Sequence, residues 1–335
     1  MIHHLPVKPA RVSLPDAMTH QGPGISTSRV AAPRDSRDLR EGGRWTFWQE
    51  LKNTILYRLV RMLLWLVDSL PEAQLLELGR FLGHSWYVFD ARARARALGR
   101  AKHCRQLFCA PSTVRQSFIC AGENLALCLL LRRPGVCAQA FVSVSEAAAR
   151  TLAGPVARRP TIVVSAHLGP FEMLAARVAE LGLRPAVVVR ESYDVRLDPL
   201  VDQHRLVQGV SVIHRGKPGA TARVLRALRA GQPVGFLIDL ESRVRSTSLP
   251  FLGKPATMIP LGPQLLSRLT GARLLVSTLA RRSSVEEARP HFELKVRPVR
   301  AAEHLGDNVA LLTQRVISQL EREILRHPED WLWMA

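Results

Sequence analysis

Residues Thr161 to Glu172 read TIVVSAHLGPFE, and this stretch constrains the fold more than any other. A β-branched apolar run of this length reads as a buried strand. Gly169-Pro170 breaks it, and MLAARVAEL then has the spacing of a helix. His167 therefore falls where a strand gives way to a helix, the end of a strand where open α/β sheets bind ligands. Positions five apart do not share a face on a continuous helix. His167 and Glu172 can meet only if the first lies in the loop and the second in the first helical turn, which the Gly-Pro break permits. The expectation is that His167 is a general base and Glu172 its orienting carboxylate. An acid on one ring nitrogen fixes the tautomer and stabilises the imidazolium, leaving the other nitrogen to take a proton from a hydroxyl.

The pattern around this stretch extends the argument to the whole chain of 335 residues. Strands are expected at Thr161–Ala166, Ala186–Arg190, Val210–His214, Val234–Asp239, Arg273–Leu279 and His291–Val299. Helices are expected at Phe171–Leu181, Pro199–Val207, Ala220–Ala230, Pro260–Leu269 and Ala310–Leu325. This alternation gives an α/β fold: a mixed central sheet flanked by helices, over residues 141–335. Residues 44–140 read as a helical, membrane-associated part, with helical spacing from Trp45 to about Leu82, a basic helix over Ala91 to Arg105 and an apolar helix over Ser117 to Leu131. Leu51, Ile55, Leu59 and Met62, with Trp45, Trp48 and Trp65 and flanking Lys52, Arg58 and Arg61, suit a helix lying in a membrane interface. An ordinary helix covering the core has the same pattern. Residues 1–43, rich in Pro, Ser, Gly and Arg, read as a disordered tail. The opening MIHHLPVKPARVSLPDAMTH lacks the apolar core of a secretory signal. No segment reaches the roughly 18 apolar residues of a spanning helix.

The net charge of +19 and pI of about 11.1 favour an anionic partner: anionic lipid, an acidic protein or nucleic acid. Few aromatics accompany the arginines, which disfavours nucleic acid. Cys104, Cys109, Cys120, Cys128 and Cys137 form no CxxC pair, and buried free thiols are expected. The histidines lack HxH or HExxH spacing, so neither metal nor cofactor is expected. With no GxSxG elbow and no cysteine beside a base, a covalent acyl-enzyme is disfavoured. What remains is a base acting directly on an acceptor hydroxyl. The start of the helix at Phe171 could offer backbone N–H groups to an oxyanion. Arg190, Arg205, Arg215 and Lys217 could approach the same sheet edge and bind phosphate or carboxylate. Asp239, ending VGFLID, could hold an arginine or the substrate, or simply cap a loop.

These residues bring a family into view. TIVVSAHLGPFEML resembles the HxxxxD/E block of the glycerolipid and lysophospholipid acyltransferases. More narrowly, the chain resembles the bacterial lipid A late acyltransferases of lauroyl/myristoyl type. LLWLVDSLPEAQLLELGRFLG is similar to that family's N-terminal helical region, and AVVVRESYDVRLDPLVDQHRLVQGVSVIHRG to its second block. LRALRAGQPVGFLIDLE and LPFLGKPATMIPLGPQLLSRLTGARLL resemble later blocks, and HPEDWLWM its HPEQWLWM ending. The resemblance implies transfer of a fatty acyl chain from acyl carrier protein to a hydroxyl of a phosphorylated glycolipid, a lipid A precursor. It also implies a place at the cytoplasmic face of the inner membrane, interfacial or held by a single anchor. By position His167 matches the family's catalytic histidine and Glu172 its acidic partner; Arg190, Arg205 and Asp239 match further family residues. Where family members often have Asn-Trp this chain has Pro170-Phe171, and where they often have Asp-Gln it has Asp239-Leu240. Two other readings fit the same residues: another glycolipid or glycerolipid acceptor, and a non-catalytic lipid-binding relative.

Overall fold

A computed structural model of the protein describes residues 44–104, 110–152, 159–241, 244–284, 287, 289–299 and 308–335. The tail expected over residues 1–43, Cys109 and Arg105 lie outside the described residues.

Four helices come first. In α1 (Phe47–Ser69) Thr46 and Gln49 form a reciprocal capping box, which satisfies two N–H groups at the helix start. The Leu70-Pro71 step forces Leu70 out of the helical region, and α2 (Glu72–Phe89) begins on the far side of it. The Arg133 guanidinium donates to the Val67 and Leu70 carbonyls, which the end of α1 leaves without helical partners. Asp90 caps α3 (Ala91–Ala101) by accepting from Ala93 N–H at 2.8 Å. The alternation ARARARALGRA places Ala93, Ala97 and Ala101 on one buried stripe at four-residue spacing. Two of its arginines reach the backbone of the C-terminal segment. Arg100 donates to Trp333 O at 3.1 Å and Arg96 to Met334 O at 3.5 Å.

The last of the four, α4 (Ala110–Leu130), lies against α2 with no room for side chains at their crossing. A Cβ on Gly122 would stand 2.0 Å from the Gly79 carbonyl oxygen, and one on Gly83 would stand 2.1 Å from the Phe118 carbonyl oxygen.

The sheet follows, with elements β1 (Val142–Val144), α5 (Glu146–Leu152), β2 (Thr161–Ser165), α6 (Phe171–Glu180), β3 (Ala186–Arg190), α7 (Asp198–Val207), β4 (Ser211–Arg215), α8 (Ala220–Arg229) and β5 (Val234–Leu237). Then come β6 (Ser246–Phe251), β7 (Lys254–Pro260), α9 (Gly262–Thr270), β8 (Arg273–Arg281), β9 (Phe292–Pro298) and α10 (Val309–Arg326). Seven strands form one sheet in the order β1-β9-β8-β2-β5-β3-β4, and only the β8–β9 pair is antiparallel. All five residues of β2 are buried, as its unbroken apolar run requires in a covered parallel sheet.

The mixed α/β architecture matches the expectation, and most elements lie within two residues of their expected bounds. The pattern reading missed the short β1 and α5, and it missed the β6–β7 hairpin. Pro250 and Pro255 argue against strand in that stretch, yet β6 and β7 pair only with each other, where proline is tolerated. Leu252 (φ 51°) and Gly253 (φ 77°) supply two successive positive φ values for the hairpin turn. A Cβ on Gly253 would also stand 1.9 Å from His103 O. The helix expected from Pro260 starts at Gly262, because Pro260 closes β7.

Gly122→Ala should lower stability by about 1–3 kcal/mol, since the added methyl forces α2 and α4 apart. Gly99→Ala, in α3 with nothing within 4 Å of the new Cβ, should raise it by about 0.5–1 kcal/mol. Denaturant melts of the two variants check both signs.

Candidate active site

Strand register builds the centre of the site. β2 and β5 run parallel with Ser165 opposite Leu237. Two residues further along each chain stand His167 and Asp239, so the loops leaving two neighbouring strands bring a base and an acid side by side. His167 Nδ1 lies 2.9 Å from Asp239 Oδ1, and the His167 backbone N–H donates to Asp239 Oδ2 at 2.9 Å. The Trp331 indole N–H donates to the same Oδ2 at 2.8 Å. An ionised carboxylate only accepts, so Nδ1 carries the proton and Nε2 presents its lone pair. Nε2 makes no hydrogen bond with the described residues, and the ring lines a cavity of about 780 Å³. Phe171 meets the ring edge-on at 5.0 Å.

Burial opposes charge on both partners, and their mutual attraction outweighs it. Desolvation pulls the His167 pKa down, but the Asp239 charge and hydrogen bond, with help from Glu172, hold it above the usual 6.5. Desolvation pushes Asp239 up, but the imidazolium and the three donors hold it below the usual 3.8.

Glu172 is not the residue that holds His167. Its carboxylate takes the Arg205 guanidinium in a two-pronged pair, with Arg205 Nε donating to Oε2 at 2.9 Å and Nη2 to Oε1 at 2.5 Å. Pro170 places Glu172 in the first turn of α6 as expected. That turn offers the carboxylate to α7, while the end of β5 already occupies the space beside the ring. Arg205 also approaches Asp202 at 3.6 Å, and Asp202 bonds His214 Nε2 at 2.6 Å. The start of α6 does not present the expected donors at two of its N–H groups. Phe171 N–H is taken by Gly169 O at 2.9 Å and Met173 N–H by Pro170 O at 2.8 Å.

The structure brings His167, Glu172, Arg190, Arg205 and Arg215 to one cavity; Asp239 stands behind the ring. Arg190 and Arg215 end neighbouring strands in direct register. Burial and the adjacent Arg190 charge pull the Arg215 pKa below its usual value. Lys217 lies outside the lining and pairs with Glu191 at 2.8 Å. The rest of the cavity is largely apolar. β3 pairs with β5 only at Ala186↔Val234 and Val187↔Gly235. Beyond that the strands part, and Val188 and Val189 face Phe236 and Leu237 across the opening.

A family model described as bacterial lipid A biosynthesis acyltransferase matches residues 155–335. The chain belongs to that family. Within it, the chain is 30% identical over 177 residues to the lipid A biosynthesis palmitoleoyltransferase of Escherichia coli (strain K12) and to a lipid A biosynthesis acyltransferase of Shigella flexneri. Each match covers 52% of this chain, and the chain spans about half the length of these curated relatives, 55% in each case.

In this lipid A acyltransferase family member no described cysteine lines the cavity. Cys104, Cys120 and Cys128 are free and buried, and Cys137 is free and exposed. Burial pushes Cys104 up to about 11 and Cys128 up to about 12, so neither is a thiolate at neutral pH. One group of described residues, Glu191, Asp198 and His214, has donor atoms close enough to share a metal ion. Lys217 pairs with Glu191, Ser192 N–H donates to Asp198 Oδ1 and Asp202 bonds His214 Nε2, while His214 Nδ1 is buried without a hydrogen-bond partner among the described residues.

A buried ion cluster lies behind the site, and the sequence reading missed it. Arg281, ending β8, pairs with Asp330 at 2.8 Å and with Glu123 of α4 at 2.8 Å, and Glu123 also takes Arg80 of α2. The Asp330 carbonyl accepts from Gly169 N–H at 2.9 Å, so the cluster reaches the loop that carries His167. No spacing rule joins residues this far apart in sequence.

The dyad gives stability a defined pH dependence. The His167 contribution is full below 6.5 and lost as pH rises through its folded value. The Asp239 contribution is present above 3.8 and lost as pH falls through its folded value. The stability gap between the native protein and Asp239→Asn should therefore be widest between about pH 4 and 6.5 and narrow on either side. Denaturant midpoints across pH 3 to 9 measure it. Arg281→Met should cost about 3–5 kcal/mol by leaving the buried Asp330 carboxylate without its cation, while Glu123 keeps Arg80.

Proposed function

We propose that the protein transfers a fatty acyl chain from acyl carrier protein to a hydroxyl of a lipid A precursor, with His167 as general base. The observation that carries this reading is the His167–Asp239 pair beside a largely apolar cavity whose lining includes two guanidinium groups from neighbouring strand ends. Asp239 fixes the tautomer, and Nε2 removes the acceptor hydroxyl proton as its oxygen attacks the thioester carbonyl. The tetrahedral intermediate collapses by breaking the carbon–sulfur bond. The departing sulfur takes the proton from the imidazolium, which returns His167 to its starting state. The acyl chain lies in the opening between β3 and β5, where Val189 and Phe236 offer apolar walls. Arg190 and Arg215 hold phosphate of the acceptor or of the carrier's prosthetic arm. Arg205, set by Glu172, lies beside the developing negative charge.

The same reading places the protein at the cytoplasmic face of the inner membrane. No helix among the described residues is long and apolar enough to cross a membrane. Along α1, Trp48 is 74% exposed and Trp65 is 64% exposed, and Ile55, Leu59 and Met62 lie exposed between them. Phe89, at the end of α2, is 85% exposed. Apolar and indole side chains in this array fit the headgroup–acyl boundary, and the net positive charge favours an anionic leaflet.

With purified protein, acyl-loaded carrier and a tetraacyl lipid A precursor, His167→Ala should lower kcat by roughly 10²–10⁴. Asp239→Asn should approach that loss, while Glu172→Gln should cost less and act on KM. Unchanged turnover in His167→Ala contradicts the reading. Replacing Trp48 and Trp65 together by Glu should weaken sedimentation with phosphatidylglycerol-containing vesicles by about tenfold or more.

A further inference from the structure

We infer that Trp331 is a positioning residue for the dyad: its indole N–H fixes the rotation of the Asp239 carboxylate, and through it the tautomer and direction of the His167 ring. This rests on the proposal that His167 is the base.

The geometry begins with the carboxylate. Asp239 is buried, and its two oxygens have separate tasks. Oδ1 receives Nδ1–H of the ring, and Oδ2 receives the His167 backbone N–H and the Trp331 indole N–H. A carboxylate turns easily about its last bond. Without the indole, Oδ2 would be held only by His167 itself, the residue that Asp239 has to orient. Trp331 supplies the reference to the rest of the fold.

The indole is well placed for this. Trp331 is 3% exposed and lies edge-on to Trp333 at 4.7 Å and to Phe251 of the hairpin at 6.2 Å. Its backbone bridges Leu168, the residue after the base. Asp330 before it accepts from Gly169 N–H and is clamped by Arg281. One short segment therefore fixes both the loop carrying the base and the acid that orients it. The donor's neutrality matters too. A cation at this position would cancel the Asp239 charge that stabilises the imidazolium, whereas an indole N–H orients the carboxylate and leaves its charge in place.

Two substitutions remove the donor: Trp331→Phe, and 3-benzothienylalanine at position 331 by amber suppression, which keeps the bicyclic shape and deletes only the N–H. The readouts are the His167 titration followed by ¹⁵N NMR, assigned against His167→Asn, and the pH profile of kcat/KM. With less competition for Asp239, the imidazolium is better stabilised. His167 should titrate about half a unit to one unit higher, and the acidic limb of the profile should move with it. A freer carboxylate should also lower kcat by about tenfold, with KM within about twofold. Trp333→Phe, which loses an indole bond to Pro328 O at 2.7 Å and none to Asp239, should leave the titration in place. An unmoved His167 titration in the benzothienyl protein overturns the positioning role whatever turnover does, as does an equal shift in Trp333→Phe. A moved titration with native kcat upholds the contact but overturns its positioning role, whereas His167 as the base falls to unchanged turnover in His167→Ala.

Discussion

The hydrogen bond between His167 and Asp239 depends on two parallel strands ending together, and much of the site follows from it. Because β2 and β5 are neighbours in register, the second loop residues after each strand are held a hydrogen bond apart with no special turn. Burial works against charge on either partner. Only as a pair do they keep an imidazole whose outer nitrogen is an acceptor and whose protonated form is stabilised. The same sheet opens on the neighbouring edge, where β3 leaves β5 after two residues of pairing. His167 thus faces a largely apolar cavity from a loop set by two neighbouring strands.

Around this contact the chain spends buried charge on alignment. Arg281, Glu123, Asp330 and Arg80 tie α2, α4, β8 and the segment at residues 328–333 into one network. Ion pairs this deep are rarely worth more than well-packed apolar groups. Their use here is geometric, because Asp330 and Trp331 reach from that network to the loop that carries His167 and to Asp239. The Glu172–Arg205 pair does a parallel job on the opposite side, where it holds a guanidinium at the cavity wall.

Much of the architecture was legible because strands buried on both faces and helices with one apolar stripe leave different periods. β3 and its neighbours could be placed almost to the residue. The hairpin was hidden by Pro250 and Pro255, which read as breakers unless the strands are known to pair only with each other. The histidine was legible for the same reason as β2: it follows a buried run and precedes a Gly-Pro break. Its partner was not. Sequence proximity draws the eye to Glu172, five positions on, whereas Asp239 lies 72 positions away and is joined only by strand register. VGFLID was recognisable as a strand ending in an acid. Asking which two predicted strands are neighbours would have paired the two ends. Nothing comparable could have exposed Arg281, Glu123 and Asp330, since buried charges in an arginine-rich chain look like any others.

The most direct test of this account is the ring proton of His167 in ¹⁵N-histidine-labelled protein. The account predicts a downfield Nδ1–H resonance that persists in Glu172→Gln and disappears, or moves sharply upfield, in Asp239→Asn. A resonance that survives Asp239→Asn and is lost in Glu172→Gln would contradict it and return the orienting role to the nearer acid.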